Sequence, residues 1–279
     1  MAIKEKQAIT KRGSKHFQSE KKKISLSSLK NWNLVLGALH AVQGLAVIVL
    51  SINRPFPVTI SYLVKDPLLS STSGHLVLAN ASRHLFDINL GYLVAVFFFI
   101  SAVAHILVAT VYRQRYETGL RKGINRVRWI EYALSASTMI VGIGLLVGIQ
   151  DAPTLLLVFG VTAIMNLCGL AMEVYNQGKA KVTWLSYLIG CVAGVLPWLV
   201  IASYLLAGAV YGSSAPTFVY WIFISMFIFF SSFAVNMYLQ YRRIKGWKDY
   251  LYGERVYMIL SLLAKSLLAW QIFSGSLRP

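Results

Sequence analysis

The chain has 279 residues, of which 57% are hydrophobic and only 13% are charged, and its mean hydropathy is +0.60. Soluble domains carry about 25% charged residues, so this composition excludes an ordinary soluble protein and indicates a polytopic membrane protein. The net charge of +17 alone would suit a nucleic-acid-binding protein. However, the basic residues lie between apolar segments, so we predict no nucleic-acid partner.

Residues 1–31 form a polar tail with nine lysines and arginines and two glutamates, and we predict a flexible cytoplasmic segment. An apolar stretch over residues 32–53 follows directly. It is long enough to cross a hydrocarbon core of ~30 Å, and no clear small-residue cleavage pattern follows it. We therefore interpret it as a retained membrane helix.

The connection over residues 54–87 is long and has its own pattern. It contains VTISYLV (58–64), the turn signal KDPLLSSTSG (65–74) and HLVLANA (75–81). This alternation predicts a small β-hairpin. Because an isolated two-stranded hairpin is marginally stable, we expect it to pack on the rest of the protein or to pair with a second copy of the chain.

Six further apolar stretches of about 20 residues or more follow, each long enough to span a membrane as a helix. In lipid every backbone polar group must be satisfied within the segment, so helices are expected rather than strands. We therefore predict an all-α membrane protein whose residues 32–279 form a seven-transmembrane-helix bundle. The six stretches cover residues 88–111, 129–148, 154–174, 184–207, 217–239 and 251–275.

The basic residues alternate between the two ends of this bundle. Twenty-two of the 27 lysines and arginines lie in the tail and in the second, fourth and sixth connections, whereas four lie on the other side. The positive-inside rule then predicts a multi-pass protein of the cell membrane with a cytoplasmic N-terminus and an extracellular C-terminus. The hairpin is therefore expected on the outer side.

The seventh span contains a single lysine, Lys265, deep within ERVYMILSLLAKSLLAW (254–270). A charged amine at the middle of a bilayer costs on the order of a few kcal/mol, so such a residue is functional by default. A desolvated lysine amine is also suited to form a Schiff base with an aldehyde. A lysine that only joins two helices through an ion pair is the alternative interpretation.

The third span contains a polar stripe at helical spacing, formed by Glu131, Ser135, Thr138 and Gly142. We choose Glu131 as the partner of Lys265. Glu173 and Glu254, at the predicted cytoplasmic edge, are the other glutamates that could serve. Alternatively, Glu131 begins its helix beside Arg128 and faces the lipid headgroups.

Two histidines, His40 in the first span and His105 in the second, suggest a polar cavity together with nearby Ser101 and Asn33. Histidine can take up and release a proton near neutral pH. Both residues are equally well explained as packing histidines between helices. No third ligand is spaced to join them, so we predict no metal site.

Seven helices, a lysine in the seventh and a glutamate in the third are the parts of a retinal-binding rhodopsin. The predicted cytoplasmic N-terminus, with the motifs RWIEYALSAS (128–137) and LSLLAKSLLAWQIFSG (260–275), resembles the heliorhodopsin family. The segments LHAVQ (39–43) and GCVAGVLPW (190–198) also match. The resemblance covers the chain from about residue 30 onward.

This resemblance implies all-trans retinal bound covalently to Lys265, with Glu131 as the counterion and Ser261 hydrogen-bonded to the Schiff base. It also implies that His40 and His105 line a proton-accepting cavity. The remaining predicted pocket residues are Ser135 and Met139, from the resemblance, and Thr138, Phe230 and Trp270, from the polar stripe and the aromatic residues.

The resemblance further implies a slow photoreceptor without ion pumping or enzymatic activity, which dimerises through the loop 54–87. We predict no catalytic residue, and we expect signalling to a cytoplasmic partner through surfaces such as the basic tail. No carboxylate on the outward half of the spans is placed to relay a proton, which favours sensing. The alternatives are light-gated or light-driven proton transport, and a non-photoactive seven-helix transporter or receptor.

Overall fold

The computed structural model describes residues 25–278, so most of the predicted tail, residues 1–24, lies outside the described residues. The elements in chain order are α1 (Leu26–Leu50), β1 (Pro55–Lys65), α2 (Pro67–Ser73), β2 (Leu78–Asn89), α3 (Leu90–Ala109), α4 (Arg113–Arg121), α5 (Arg126–Leu146), α6 (Ala152–Tyr175), α7 (Leu185–Tyr211), α8 (Thr217–Tyr241), a 3₁₀ turn (Lys245–Lys248), α9 (Tyr250–Ile272) and a π-helical turn (Phe273–Leu277).

Seven helices of the described chain are long and apolar enough to cross a membrane, namely α1, α3, α5, α6, α7, α8 and α9 with its π-helical turn. The predicted all-α membrane protein with seven spans is therefore confirmed. Their apolar side chains face both the bundle interior and the surrounding lipid, as expected where the solvent itself is apolar.

The first helix begins at Leu26, six residues before the predicted start of the membrane domain at residue 32. Ser25 caps it, because its hydroxyl accepts a hydrogen bond from the Ser28 N–H at 3.1 Å. Leu29 is fully buried beside Tyr116 of α4. Local capping and packing thus extend the helix into residues that, because of their polar composition, were predicted to belong to the tail.

The predicted hairpin is confirmed, and it is longer than the sequence pattern indicated. β1 pairs antiparallel with β2 from Pro55 opposite Asn89 to Lys65 opposite Leu78. The predicted turn contains the short helix α2, whose N-cap Asp66 accepts a hydrogen bond from the Leu69 N–H at 2.9 Å.

The base of the hairpin is attached to the helical bundle. The Thr59 N–H donates to the carbonyl of Gln150 at 2.8 Å, in the loop between α5 and α6. Val58 is buried in the same apolar cluster as α3 and α5. The hairpin therefore packs on the bundle, as its marginal stability in isolation requires.

The connection between α3 and α5 contains a helix that the sequence analysis missed. α4 carries four charged residues, and its side chains Tyr116 and Leu120 are buried against α1 and α3. Gly123 follows it with φ +71°, a left-handed conformation that favours glycine. The break separates α4 from α5, so α5 begins at Arg126.

The bundle has two chemically different halves. In the half nearer the hairpin the buried side chains are largely apolar, including Leu90, Val94, Ile140, Ile143, Leu268 and Ile272. In the other half and at mid-depth lie all five buried charged residues of the described chain, Arg128, Glu131, Glu173, Glu254 and Lys265. This division positions the candidate site.

Candidate functional site

The site is centred on the amine of Lys265 in α9. Its side chain is 3% exposed, and Nζ donates a hydrogen bond to Ser261 Oγ at 2.7 Å. Ser261 lies four residues earlier, so the helical repeat places its hydroxyl directly beside the amine. Glu131 Oε1 of α5 lies 3.3 Å from Nζ, and this carboxylate is only 6% exposed.

Glu131 reaches the lysine because it lies deep in the bundle, one and a half turns after α5 begins at Arg126. Ser101 of α3 donates a hydrogen bond to Glu131 Oε1 at 2.5 Å and is itself fully buried. The carboxylate is therefore held between two helices. Its burial contradicts the alternative in which Glu131 faces the lipid headgroups.

A small cavity of about 40 Å³ lies against this amine. Its lining is mainly apolar and aromatic and comprises Tyr132, Ala136, Met139, Met165, Asn166, Phe230, Phe233, Ser261, Ala264 and Lys265. A buried amine at the wall of an apolar cavity is suited to form a Schiff base with an aldehyde, and a long apolar tail would have to extend beyond this small space.

A second, larger cavity of about 340 Å³ lies beside the first, between α6, α7 and α8. Both spaces are lined by Met165, Asn166, Phe230 and Phe233. The cavity beside Lys265 therefore borders an apolar groove that can extend the room for a long ligand.

The predicted pocket residues separate into two groups. Met139 and Phe230 line the cavity. Among the described lining residues, Ser135, Thr138 and Trp270 are absent. The Thr138 hydroxyl donates to the carbonyl of Leu134 in its own helix, and the buried Ser135 hydroxyl has no hydrogen-bond partner among residues 25–278.

Trp270 lies at the periphery of the bundle, 38% exposed, and its indole N–H donates to Gln43 Oε1 at 3.1 Å. The cavity is instead lined by residues that the sequence pattern did not indicate, including Tyr132, Met165 and Phe233. Tyr132 was recognisable only as the neighbour of Glu131, and the other two depend on how α6 and α8 are rotated.

The two predicted cavity histidines are brought together. The rings of His40 and His105 stack at a centroid distance of 5.5 Å and an angle of 10°. His105 Nδ1 lies 2.7 Å from Asn33 Oδ1, and Asn33 Nδ2 lies 3.5 Å from the hydroxyl of Tyr116. His40 is fully buried, and neither of its ring nitrogens has a hydrogen-bond partner in the described chain.

The two other candidate partners of Lys265 are engaged elsewhere. Arg128 forms ion pairs with both Glu173 and Glu254, and all three side chains are buried. Asn125 adds two hydrogen bonds, from its backbone N–H to Glu173 and from its side chain to Glu254. This charged cluster joins α5, α6 and α9 at the end away from the hairpin.

Tyr116 connects the histidine pair to α4, outside the membrane-spanning helices. Burial is the main cause that raises the pKa of its phenol above the ordinary value of 10.0. The hydroxyl therefore stays neutral, and it accepts a hydrogen bond from the side-chain N–H of Asn33.

Within residues 25–278 no group of three or more His, Cys, Asp or Glu residues is arranged to hold a metal ion. Cys168 and Cys191 are both free thiols.

Comparison with known proteins identifies a family. The family model described as heliorhodopsin matches residues 29–277, nearly the whole chain. No curated protein matches the chain. Heliorhodopsins are membrane proteins that carry retinal on a lysine, and the seven spans agree with such a protein. The chain therefore belongs to the heliorhodopsin family, and it is a multi-pass retinal protein of the rhodopsin type.

Proposed function

We propose that this protein is a light sensor with all-trans retinal bound to Lys265 as a protonated Schiff base and with Glu131 as its counterion. Photoisomerisation then drives a slow conformational signal without ion pumping. The observation that carries this proposal is the buried Lys265–Glu131 pair, 3.3 Å apart at the wall of the apolar cavity.

Bound retinal supplies the absorption of visible light and a change of shape upon isomerisation. The residues of the chain provide the electrostatic setting. A positive nitrogen buried in low dielectric is strongly penalised unless an anion compensates it, and Glu131 is that anion. Ser101 keeps the carboxylate in place, and Ser261 accepts a hydrogen bond at the nitrogen of Lys265.

The division of the bundle supports sensing rather than transport. A proton that leaves the nitrogen of Lys265 has titratable acceptors toward one end only, where His40 and His105 lie. Toward the hairpin the buried side chains of the described residues include no carboxylate, histidine or lysine. The proton is therefore held among these acceptors and returns, since no relay of titratable side chains continues toward the hairpin.

The orientation is part of the proposal. The basic connections lie at the end away from the hairpin, so this end is cytoplasmic and the C-terminus is extracellular. The charged cluster around Arg128 and the surface helix α4 both lie at that end. A cytoplasmic signalling partner would meet the exposed side of α4 and the basic tail, whereas the charged cluster lies buried beneath this end.

The hairpin supports a homodimer. Several large apolar side chains along its two strands are exposed, namely Tyr62, Leu63, Val64, Leu85 and Phe86. Exposed apolar patches of this kind mark interaction sites, and a second copy of the chain can cover them.

The test of the function is an absorption spectrum after expression with all-trans retinal. The wild-type protein should show a visible band that is absent in Lys265→Ala and in Lys265→Arg, which keeps a positive charge but cannot form a Schiff base. Lys248→Ala, at an exposed surface lysine, is the matched control and should keep the band. A wild-type protein without a visible band would instead select the non-photoactive transporter or receptor.

Sensing and proton transport are separated by illuminating cells or vesicles that contain the retinal-bound protein. We expect no light-dependent pH change and no current, with or without a protonophore. A pH change that the protonophore abolishes would establish the proton-transport alternative on the same scaffold.

A further inference from the structure

The amine of Lys265 has a third buried partner besides Ser261 and Glu131. The ring of Tyr132 presents its face to Nζ, with a distance of 5.2 Å from Nζ to the ring centroid. A cation within about 6 Å of an aromatic face is attracted by the ring's negative face, and the attraction grows where water is excluded. Tyr132 is itself buried and lines the cavity.

The ring is held in this orientation from several directions. Its hydroxyl donates to the backbone carbonyl of Tyr257 at 3.0 Å, two turns before Lys265 on the same helix. Phe233 and Trp129 pack edge-on against it, at centroid distances of 5.3 Å and 6.2 Å and angles near 90°. The face therefore cannot turn away from the nitrogen without breaking these contacts.

The ring becomes more important once the nitrogen is part of a Schiff base. A lysine ammonium has three N–H donors, so it can serve both Ser261 and Glu131. A protonated Schiff base retains one N–H, which cannot be directed at both oxygens with good geometry. An aromatic face requires no hydrogen, so its attraction to the charge persists.

We propose that Tyr132 is a positioning residue whose ring face stabilises the positive charge on the Lys265 nitrogen alongside Glu131. For the retinal-bound state this inference rests on the proposed function. For the protein without retinal it concerns only the ammonium of Lys265, and it can be tested there independently.

The first test uses the ligand-free protein. Formaldehyde with cyanoborohydride methylates only a neutral amine, and peptide mass spectrometry can follow methylation of Lys265 against pH. Tyr132→Leu should lower the midpoint pH of methylation by about one unit, because the ammonium loses a stabilising partner. Phe223→Leu is the matched control, since this ring lies on the same helix as Phe233 but packs against Trp198 at a centroid distance of 5.7 Å and does not line the cavity beside Lys265, and it should leave the midpoint unchanged.

A second pair of variants preserves the size of the ring. Tyr132→Phe keeps the negative face and should retain a midpoint close to that of the wild type. Tyr132→pentafluorophenylalanine reverses the charge distribution of the ring and should lower the midpoint by about one unit or more. Equal midpoints for these two variants would overturn the inference, even if Tyr132→Leu fails to fold.

The same variants are then loaded with retinal, and the pH at which half of the visible band is lost is measured. We expect this pH to be highest in the wild type, slightly lower in Tyr132→Phe and lowest in Tyr132→pentafluorophenylalanine. If the wild type forms a visible band and all midpoints agree, the role of Tyr132 is refuted and the photoreceptor stands. If no band forms, the proposed function fails, and the methylation experiment still decides about the ring.

Discussion

The half of the bundle nearer the hairpin and the half away from it are built from the same kind of apolar helix but are stabilised differently. Near the hairpin, Leu90, Ile143 and Leu268 belong to one continuous apolar cluster. At the opposite end, Arg128 binds the carboxylates of Glu173 and Glu254, away from water. One half depends on close packing, and the other on the compensation of buried charge.

This difference explains why the candidate site lies at the boundary between the two halves of the bundle. The cavity beside Lys265 combines apolar walls from one half with the Glu131 carboxylate of the other. An apolar ligand with a positive nitrogen requires both. A site entirely within the apolar half would leave the charge uncompensated, and one within the charged half would not accommodate an apolar tail.

The largest expected effect is in the charged half. Arg128→Leu leaves Glu173 and Glu254 buried without their cation and should lower the free energy of unfolding by about 3–5 kcal/mol. Unfolding by SDS titration in detergent measures this. Arg126→Leu, at an exposed neighbour on the same helix, should change stability by less than about 0.5 kcal/mol. Similar losses in both variants would contradict the assigned role of the cluster.

In the apolar half, the corresponding substitution creates a cavity. Leu268→Ala removes a fully buried side chain and should cost about 2–5 kcal/mol of unfolding free energy. The control is Leu263→Ala on the same helix, where the side chain is 49% exposed. An equal cost at both positions would show that burial in this half is not what stabilises it.

At the boundary, Glu131→Gln removes the carboxylate from the Lys265 pair. In the ligand-free protein we expect a loss of about 1–3 kcal/mol, less than for Arg128→Leu. The loss is smaller because the single lysine left without its carboxylate can release its proton, whereas Arg128→Leu leaves two buried carboxylates without a cation. Glu117→Gln, in a half-exposed pair with Arg113, should cost at most about 1 kcal/mol by the same measurement.

A smaller effect is expected at His40, whose ring nitrogens have no partner in the described chain. His40→Phe replaces an unsatisfied polar ring by an apolar one of similar shape and should be nearly neutral or slightly stabilising. His105→Phe loses the hydrogen bond to Asn33 and should cost about 0.5–1.5 kcal/mol. A large loss in His40→Phe would show that this residue has an essential polar partner.

The smallest effect concerns the pH dependence of α4. Because burial raises the pKa of Tyr116 above 10.0, its contribution to stability is fully present below that pH. The contribution is lost as pH rises further, since the unfolded chain releases the phenolic proton first. Tyr116→Phe should therefore reduce the decline of stability at alkaline pH. An unchanged decline would show that Tyr116 does not contribute to it.

Much of this architecture was predictable from local sequence. The spans followed from runs of apolar residues, and the hairpin followed from alternation around a Pro-containing turn. Lys265 stood out because a charge in an apolar helix is costly wherever the helix packs. The start of α1 and the separate helix α4 were missed, because they depend on the burial of Leu29 and Tyr116 against other helices.

The site was predictable only in part for the same reason. Helical spacing alone placed Ser261 beside Lys265, since both belong to one helix. Trp270 was expected in the pocket but faces Gln43 at the periphery. Tyr132 lines the cavity instead, and no local pattern distinguished a ring that faces the interior from one that faces lipid.

The sequence by itself determined that seven apolar helices cross a membrane and that one of them contains a lysine, because a span must satisfy its own backbone and exclude charge along its length. Only the tertiary structure decided which of three glutamates pairs with that lysine. The depth and rotation of each helix in lipid depend on packing against its neighbours. That packing assigned Glu173 and Glu254 to Arg128 and brought Glu131 to Lys265.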